Sequence, residues 1–310
     1  MKPLYPSLQS KARGSALVAI FWLIAVLGLF VLAALQSAIV DTRMVSTLRG
    51  LALAQAAAKR GLAFGMHPSV SRGDPLLAYE SDEESYQVNI TVEEARLNPN
   101  ALIAANSGIV LTRLFVLWGM RADAATSLSA AIGDWIDADG TVALSGAEAE
   151  AYARAGRPGL PLNRPFTTLD EMRMVSGMDA LEAQNPEWRD AFTLWTSGRI
   201  NVNEANPEVI SAACGIGLSR AKNAWSVLAG PDGIRHTPDD VRFTSTEEAA
   251  RQLQIREPIP PLLSIEGQTR HVESIGRAGD FDCRLVMILS GTLPLYYSEC
   301  PMEGSKSWMP

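Results

Sequence analysis

The feature that most restricts the fold of this chain is a run of 27 residues, from Gly14 to Val40, that contains no charged side chain. Its central part, Ala16 to Leu35, contains nothing more polar than glycine. Twenty helical residues extend about 30 Å, the thickness of the hydrocarbon core of a bilayer. A cleaved secretory signal has a shorter apolar region followed by a small-residue cleavage site, and Gln36 interrupts such a site here. The run therefore predicts a transmembrane helix.

Basic residues precede this helix, and no acidic residue does. Lys2, Lys11 and Arg13 are the charged residues among the first fourteen. Basic residues next to a membrane helix remain on the cytoplasmic side, so we expect the amino terminus in the cytoplasm. The 270 residues that follow Val40 then lie across the membrane.

The junction between the basic leader and the apolar helix resembles the signal of prepilins and pseudopilins, which a prepilin peptidase cuts after a glycine. Cleavage after Gly14 would make Ser15 the new amino terminus. Most members of that class carry glutamate at the fifth mature position, where this chain has Ala19. A carboxylate is costly in lipid unless it is paired, and in pilins this glutamate is taken to pair with a neighbouring subunit. A subunit without it fits the tip of a pilus better than the shaft.

Helical spacing continues beyond the membrane, from Asp41 to Met66. Small residues form a stripe along this segment: Ala54, Ala57, Ala58 and Gly61. Such a stripe lets another element approach closely. We expect an ordinary amphipathic helix that packs against the chain's own core. A long helix that is half in the membrane and half in the soluble body also resembles the pilin architecture.

Strand patterns occur at both ends of the remaining chain. Residues 86–92 alternate between apolar and polar side chains, and residues 272–277 and 285–289 are further strand candidates. Residues 106–254 are mostly helical in pattern. We therefore predict an α+β protein, in which an inserted all-helical domain interrupts a small α/β domain. The predicted boundaries are a leader (1–14), a transmembrane part (15–40), the α/β domain (41–105 and 266–310) and the inserted domain (106–265).

One acidic segment has the composition of a cation site. It contains Asp134, Asp137, Asp139 with the following Gly140, and then the sequence Gly146-Ala-Glu148. Carboxylate oxygens are the ligands that Ca²⁺ prefers, and glycine permits a sharp turn between them. The spacing is not that of an EF-hand, because the glycine directly follows Asp139. On composition alone, solvated aspartates that cap helices are the preferred explanation.

Two further segments carry helix signals. Thr168 and Glu171 are spaced as a capping box, with Gly177 able to close that helix. Asn206-Pro207 begins another helix, after which residues 215–217 turn the chain and Ser219 is expected to cap the next helix. The second segment is a helix-hairpin-helix outline, which in DNA-binding proteins holds a phosphate near basic residues. The basic residues Arg220 and Lys222 follow it.

Taken in order, these features resemble minor pseudopilin K of the bacterial type II secretion system, also called general secretion pathway protein K. The resemblance rests on the glycine-ended leader without its glutamate and on four later segments: 96–102, 134–148, 169–178 and 201–203. It implies a pilin-like α/β domain with an inserted helical domain of the helix-hairpin-helix or SAM-like kind. It also implies an inner-membrane protein with a periplasmic body, placed at the pseudopilus tip.

The resemblance implies partners and a cofactor as well. The partners would be minor pseudopilins of the I and J types, the pseudopilus shaft, the prepilin peptidase and the inner membrane. The cofactor would be Ca²⁺, held by Asp137, Asp139 and Glu148, with Asp134 as a weaker member of the set. The family's metal segment usually continues with paired aromatics, whereas this chain has a single Tyr152.

The main alternative is a membrane-anchored, helix-hairpin-helix DNA receptor of the competence type. Such a receptor predicts a short basic domain. This chain has a formal charge of −7, and loss of the three basic leader residues would make it −10. Because phosphate binding depends on basic residues, we expect no nucleic-acid partner.

An enzyme is the third class, and the sequence does not favour it. The three histidines, His67, His236 and His271, are widely spaced. No nucleophile elbow, zinc-protease motif or phosphate-binding loop occurs in the chain.

Two smaller expectations concern cysteines and a second acidic loop. An oxidising periplasm permits a disulfide, and we expect Cys283 to pair with Cys300 and leave Cys214 as a small buried residue. Asp232, Asp239 and Asp240 form another acidic loop, for which ordinary solvated carboxylates are favoured over a second ion.

Overall fold

The structure is a computed structural model that describes residues 13–303 except 236, 238 and 257. Side chains are described from residue 17 onward, apart from residues 37–43 and 300–303. The helices are α1 (Arg13–Met66), α2 (Pro99–Ala104), α3 (Ile109–Leu117), α4 (Ala122–Ile136), α5 (Ala149–Arg154), α6 (Met178–Gln184), α7 (Pro207–Cys214), α8 (Leu218–Leu228) and α9 (Thr246–Gln252). The strands are β1 (Ala78–Glu80), β2 (Ser85–Val92), β3 (Ile200–Asn201), β4 (Leu263–Ser264), β5 (Thr269–Ala278), β6 (Phe281–Ser290) and β7 (Leu293–Glu303).

Helix α1 has 54 residues and is divided into two halves of different character. At 1.5 Å per residue it is about 80 Å long. Its first half includes Leu17–Gln36, whose mean hydropathy is 2.9 and of which no part is buried within the protein. An apolar surface of this length without a protein partner is stable in lipid. The described part of the chain therefore carries one apolar helix, near its amino terminus, that is suited to a single membrane span.

The second half of α1 packs on an antiparallel sheet with the strand order β1-β2-β5-β6-β7. The predicted alternation in β2 is confirmed, because Tyr86, Val88 and Ile90 are buried against α1 while the residues between them face outward. The two later strand candidates correspond to β5 and β6. Strands β1 and β7, which form the two edges, were not expected from the sequence.

The small-residue stripe of α1 packs against the chain's own sheet. Ala54, Ala57 and Ala58 are fully buried. The hydroxyl of Ser274 donates to the carbonyl of Ala58 at 2.8 Å. A Cβ atom on Gly276 would lie 2.2 Å from the carbonyl oxygen of Ala54. Helix and sheet therefore approach each other as closely as their backbones allow.

The inserted helical region has its own, larger core. Its centre contains the fully buried side chains of Trp135, Trp188 and Phe115. Leu97 and Leu102 also belong to this core, so the helical body begins before residue 106. The short parallel pair β3–β4 joins the start of α7 to the segment that returns to the sheet.

Two of the predicted helix caps are wrong. Thr168 makes no capping bond, because Glu171 instead accepts from the N–H and hydroxyl of Thr167, and the segment that follows is a 3₁₀ turn. Helix α8 begins one residue after Gly217, so Ser219 lies inside the helix. The predicted cap at Asn206 is confirmed, since its side chain accepts from the N–H of Val209 at 2.8 Å.

Two adjacent glutamates hold the junction between the sheet and the inserted region. Glu94 is buried and accepts from the N–H groups of Gln268 and Thr269, both at 3.1 Å, and from the Thr269 hydroxyl. Glu93, also buried, pairs with Arg96 at 2.7 Å and with the ring of His271. The chain therefore leaves the sheet and returns to it through one set of hydrogen bonds.

The pH dependence of this junction follows from Glu93. Burial alone would raise its pKa, but the hydrogen bond with His271 and the positive charge of Arg96 outweigh burial and lower the pKa below 4.5. The resulting stabilisation is present above the unfolded-state pKa and is lost as the pH falls through the folded-state pKa. Glu93→Gln should therefore lower the free energy of unfolding at pH 7 by about 2 kcal/mol.

Denaturant unfolding at several pH values checks this expectation. The difference between wild type and Glu93→Gln should shrink as the pH falls below the ordinary glutamate pKa. Glu83→Gln, at an exposed position before β2, is the control and should behave as wild type. A difference that stayed constant from pH 7 to pH 3 would contradict the assignment of the junction charge to Glu93.

Candidate functional site

The four predicted cation ligands lie around the loop that joins α4 to α5. Asp134 is in the last turn of α4 and Asp137 directly follows that helix, while Glu148 directly precedes α5. Asp134 is fully buried and Glu148 is 8% exposed, whereas Asp139 is exposed. Two contacts anchor the ends of the loop in the core: Trp135 stacks on Phe166 at 5.8 Å and meets Tyr152 edge-on at 6.1 Å between ring centres.

Asp134 organises the loop rather than facing a ligand. Its carboxylate accepts from the N–H of Ala143 at 3.1 Å. A Cβ atom on Gly146 would lie 2.0 Å from its Oδ2 atom, so only glycine allows the loop to close over this carboxylate. Burial raises the pKa of Asp134, and the N–H groups of Ala143 and Ala147 partly oppose that effect. The resemblance implied that Asp134 is a weaker member of the calcium ligand set, and this geometry is compatible with that prediction.

Asp137 and Glu148 have the free oxygens that a cation would need. Oδ1 of Asp137 and Oε1 of Glu148 are buried and have no hydrogen-bond partner. Burial raises the pKa of both groups, and the neighbouring carboxylates raise them further. A buried carboxylate oxygen without a donor destabilises the protein unless a positive charge neutralises it. The chemistry of these two side chains therefore fits a hard cation.

The site is not assembled as a compact set of ligands. Among residues 17–303 with described side chains, no three acidic, histidine or cysteine side chains are grouped tightly enough to hold a metal ion. Oδ1 of Asp139 accepts from the N–H of Thr141 at 2.7 Å, and its carbonyl accepts from the Asn163 side chain at 2.8 Å. One carboxylate oxygen and the carbonyl oxygen of Asp139 are thus engaged by hydrogen bonds.

Sequence reasoning missed Asn163 as a member of this site. Oδ1 of Asn163 is buried without a hydrogen-bond partner, so it is another free oxygen beside the loop. Asn163 lies 24 residues from Asp139, and no local pattern connects them. The glycine in the Gly146-Ala-Glu148 sequence was noted, but its contact with Asp134 is visible only in three dimensions.

Each carboxylate of the second acidic loop has a partner within that loop. Asp239 accepts from the Thr237 hydroxyl at 2.7 Å and from the N–H of Asp232 at 3.1 Å, and these bonds lower its pKa. Asp240 pairs with Arg235 at 2.9 Å. These contacts favour the expectation of ordinary carboxylates over a second ion.

The helix-hairpin-helix outline is present in α7, residues 215–217 and α8. Gly215 is in the left-handed conformation with φ +64, as the turn requires. The guanidinium group of Arg113 lies against Gly215 and donates to the carbonyl of Ala212 at 3.4 Å. Arg220 and Lys222 are exposed on α8. The hairpin packs within the helical core through α3, and this packing is a sufficient structural role for it.

The histidines and cysteines form no common site among the described residues. His67 contacts Ser69 at 2.6 Å, His271 belongs to the junction with Glu93, and residue 236 lies outside the described residues. Cys214 is half-buried, and burial raises its pKa to about 12. Register pairs Cys283 with Pro301 and Arg284 with Cys300, but the side chain of residue 300 is not described, so the disulfide stays a prediction.

The leader is described only at its end. Lys2 and Lys11 lie outside the described residues, and Gly14 and Ser15 are in the first turn of α1. Ala19 is exposed on the apolar surface of the helix.

Comparisons with known proteins confirm the resemblance drawn from the sequence. Residues 93–185 match the family model of the type II secretion system protein K. Type II secretion system protein K of Klebsiella pneumoniae is 38% identical over 71 residues, which are 23% of this chain and 22% of that protein. The protein of the same name from Pectobacterium carotovorum subsp. carotovorum is 37% identical over 62 residues, 20% of this chain and 19% of that protein. The matched segments thus span about a fifth of these relatives.

A solved structure extends the likeness to the whole fold. The crystal structure of the GspK-GspI-GspJ complex from the enterotoxigenic Escherichia coli type 2 secretion system contains a chain that aligns with a TM-score of 0.56. The alignment covers 86% of this chain and 96% of that chain at 14% identity. The predicted α+β fold, with its amino-terminal helix and inserted helical domain, is therefore confirmed. None of these comparisons supports a DNA receptor.

Proposed function

We propose that this protein is a minor pseudopilin at the tip of a type II secretion pseudopilus, where it takes part in the export of folded proteins across the outer membrane. One observation carries the proposal. A single helix is apolar and exposed along its first half and is packed on an antiparallel sheet along its second half. This design joins a membrane anchor rigidly to a folded body, as assembly into a helical fibre requires.

Two features support the proposed tip position: the inserted domain and Ala19. The inserted region accounts for more than half of the chain that lies beyond the membrane helix. Such a body above the sheet would obstruct a further subunit in the direction of growth. Ala19 supplies no carboxylate for pairing with a subunit ahead of it. The protein would accordingly have neighbours below it and none above.

Minor pseudopilins of the I and J types are the proposed partners, together with the pseudopilus shaft. Support comes from the fold shared with a chain of the GspK-GspI-GspJ complex. Before assembly, the protein would reside in the bacterial inner membrane as a single-pass protein. Its basic amino terminus would be cytoplasmic and its folded body periplasmic. Its role would be structural rather than enzymatic.

Ca²⁺ is the proposed cofactor of the α4–α5 loop. Asp137 and Glu148 would hold it with their unpaired buried oxygens, and Asp139 would complete the acidic set. Asp134 would support the loop through its hydrogen bond with the N–H of Ala143. The ion supplies positive charge that offsets the mutual repulsion of these carboxylates.

Processing of the leader tests the proposal directly. When the full chain is produced together with a prepilin peptidase, intact-mass measurement should show loss of residues 1–14 and a new terminus at Ser15. Gly14→Val should abolish cleavage, because a branched side chain replaces the glycine at the scissile bond. Gly28→Val, in the same apolar helix, is the control and should be cleaved normally, since nothing lies within 4 Å of its Cβ position. Cleavage of Gly14→Val at the wild-type rate would contradict the pseudopilin assignment.

A further inference from the structure

A cleft of about 640 Å³ lies between the sheet and the inserted region. One wall comes from the loop after α1 and the adjoining ends of β2 and β5, including Arg72, Val92 and Arg270. The other wall comes from the inserted region and includes Glu204 and Arg242. We name this space the interdomain cleft. Its volume is in the range of sites that bind small molecules or short peptide segments.

Three arginines line the cleft, and one buried carboxylate serves two of them. Glu204, whose side chain is 4% exposed, pairs with Arg72 at 2.9 Å through one oxygen and with Arg242 through the other. The second acidic residue of the lining, Asp240, is paired with Arg235. Both carboxylates of the lining are therefore already paired with arginines other than Arg270.

Arg270 remains without an anion. Its guanidinium group donates to the carbonyl oxygens of Val70 and His67, and no acidic side chain of the described residues lies within ion-pair distance. Its Nε atom is buried and has no hydrogen-bond partner. Burial lowers the pKa of this group, which is the effect of removing a cation from water without a compensating charge. The cleft thus has an excess of positive charge centred on the β5 wall.

Geometry favours a ligand with more than one carboxylate. Arg270 lies on the sheet side and has no carboxylate partner among the described residues. Arg242, which is 62% exposed, lies on the inserted side and shares the single carboxylate of Glu204 with Arg72. A single small anion can neutralise one of them, whereas an extended segment can reach both. Guanidinium groups are well suited to carboxylates because they donate two parallel hydrogen bonds.

From these contacts we infer that the interdomain cleft binds an acidic peptide segment of another protein, with Arg270 and Arg242 as its carboxylate-binding residues. Such a segment would contact the sheet and the inserted region at once and would fix their relative orientation. The inference stands on the cleft alone and does not require the pseudopilin assignment.

Fluorescence anisotropy with the full chain in detergent micelles tests this inference. The probe is a labelled hexapeptide, Gly-Asp-Glu-Asp-Glu-Gly, blocked at both ends, and its matched control is Gly-Asn-Gln-Asn-Gln-Gly. A chelator excludes divalent cations, so that the peptide's carboxylates cannot act through calcium. The acidic peptide should bind and the amide peptide should not. Arg270→Gln should weaken binding at least tenfold, and Arg270→Lys should retain most of the affinity.

Arg277→Gln is the matched variant, because it removes the same charge from the same strand outside the cleft. It should bind the acidic peptide as wild type does. If Arg270→Gln fails to fold, Arg242→Gln at the exposed wall replaces it and should also lose at least tenfold in affinity. Equal binding of the amide peptide, or wild-type affinity in both cleft variants, would overturn the inference. A different outcome is that inorganic phosphate or acetate displaces the labelled peptide at concentrations no higher than those at which the unlabelled acidic peptide displaces it. That result would also overturn the inference in favour of a free-anion site.

Discussion

Addition of Ca²⁺ to the metal-free full chain should raise its midpoint temperature of unfolding by about 5 °C or more. A ligand at one hundred times its dissociation constant stabilises the folded state by about 2.7 kcal/mol. In a domain of 150–250 residues, the size range of the inserted region that contains this loop, each kcal/mol shifts the midpoint by roughly 2–4 °C. The gain arises because the ion supplies a partner for the unpaired buried oxygens of Asp137 and Glu148.

The effect of Glu148→Gln on stability should depend on whether calcium is present. Without calcium the variant should be at least as stable as wild type, because one of several mutually repelling carboxylates has been removed. With calcium it should show little stabilisation, because an anionic ligand is missing. Glu150→Gln, two residues away, removes the same charge from an exposed side chain and should respond to calcium as wild type does. An equal calcium shift in Glu148→Gln and wild type would contradict the proposed ligand set.

Gly276→Ala should destabilise the protein by about 3 kcal/mol, the upper part of the range for overpacking a core. The new Cβ atom would lie 2.2 Å from the carbonyl oxygen of Ala54 and 2.3 Å from the amide nitrogen of Ala58. Both atoms belong to the backbone of α1, so no side chain can move aside. The helix would have to lift from the sheet and expose apolar surface. Denaturant unfolding followed by circular dichroism measures the loss.

Gly133→Ala is the matched control for that substitution. Its Cβ atom would make an ordinary contact, 4.0 Å from the side chain of Ile103. Because alanine is a better helix former than glycine, the control should be neutral or more stable by up to about 1 kcal/mol. Equal stability of Gly276→Ala and wild type would mean that α1 does not lie as close to β5 as the structure shows.

Much of the α/β part of the fold could be predicted from local pattern. The uncharged run predicted the first half of α1, and alternation predicted β2, because a period of two reflects burial on one face. Strand β7 could not be predicted in this way. It contains Pro294 and Pro301, and proline usually argues against a strand except at a sheet edge, which is where β7 lies.

Contacts between residues that are distant in the sequence could not be predicted from local sequence patterns. Glu93 and Glu94 read as ordinary acidic residues after a strand, yet both are buried. The partner of Glu94, Thr269, is 175 residues away. The same limit applies to the candidate cation site. Asp137 and Glu148 were identified from their chemistry, but the closure of the loop over Asp134 depends on Gly146 and could be seen only once the loop was folded.

Co-purification tests most directly the proposal that this chain assembles with minor pseudopilins. The full chain should be produced with I-type and J-type minor pseudopilins and isolated through a tag on this chain alone. Mass measurement of the isolated complex should show one copy of each of the three proteins. Recovery of this chain alone, while the I-type and J-type proteins are present and folded in the same cells, would contradict the claim.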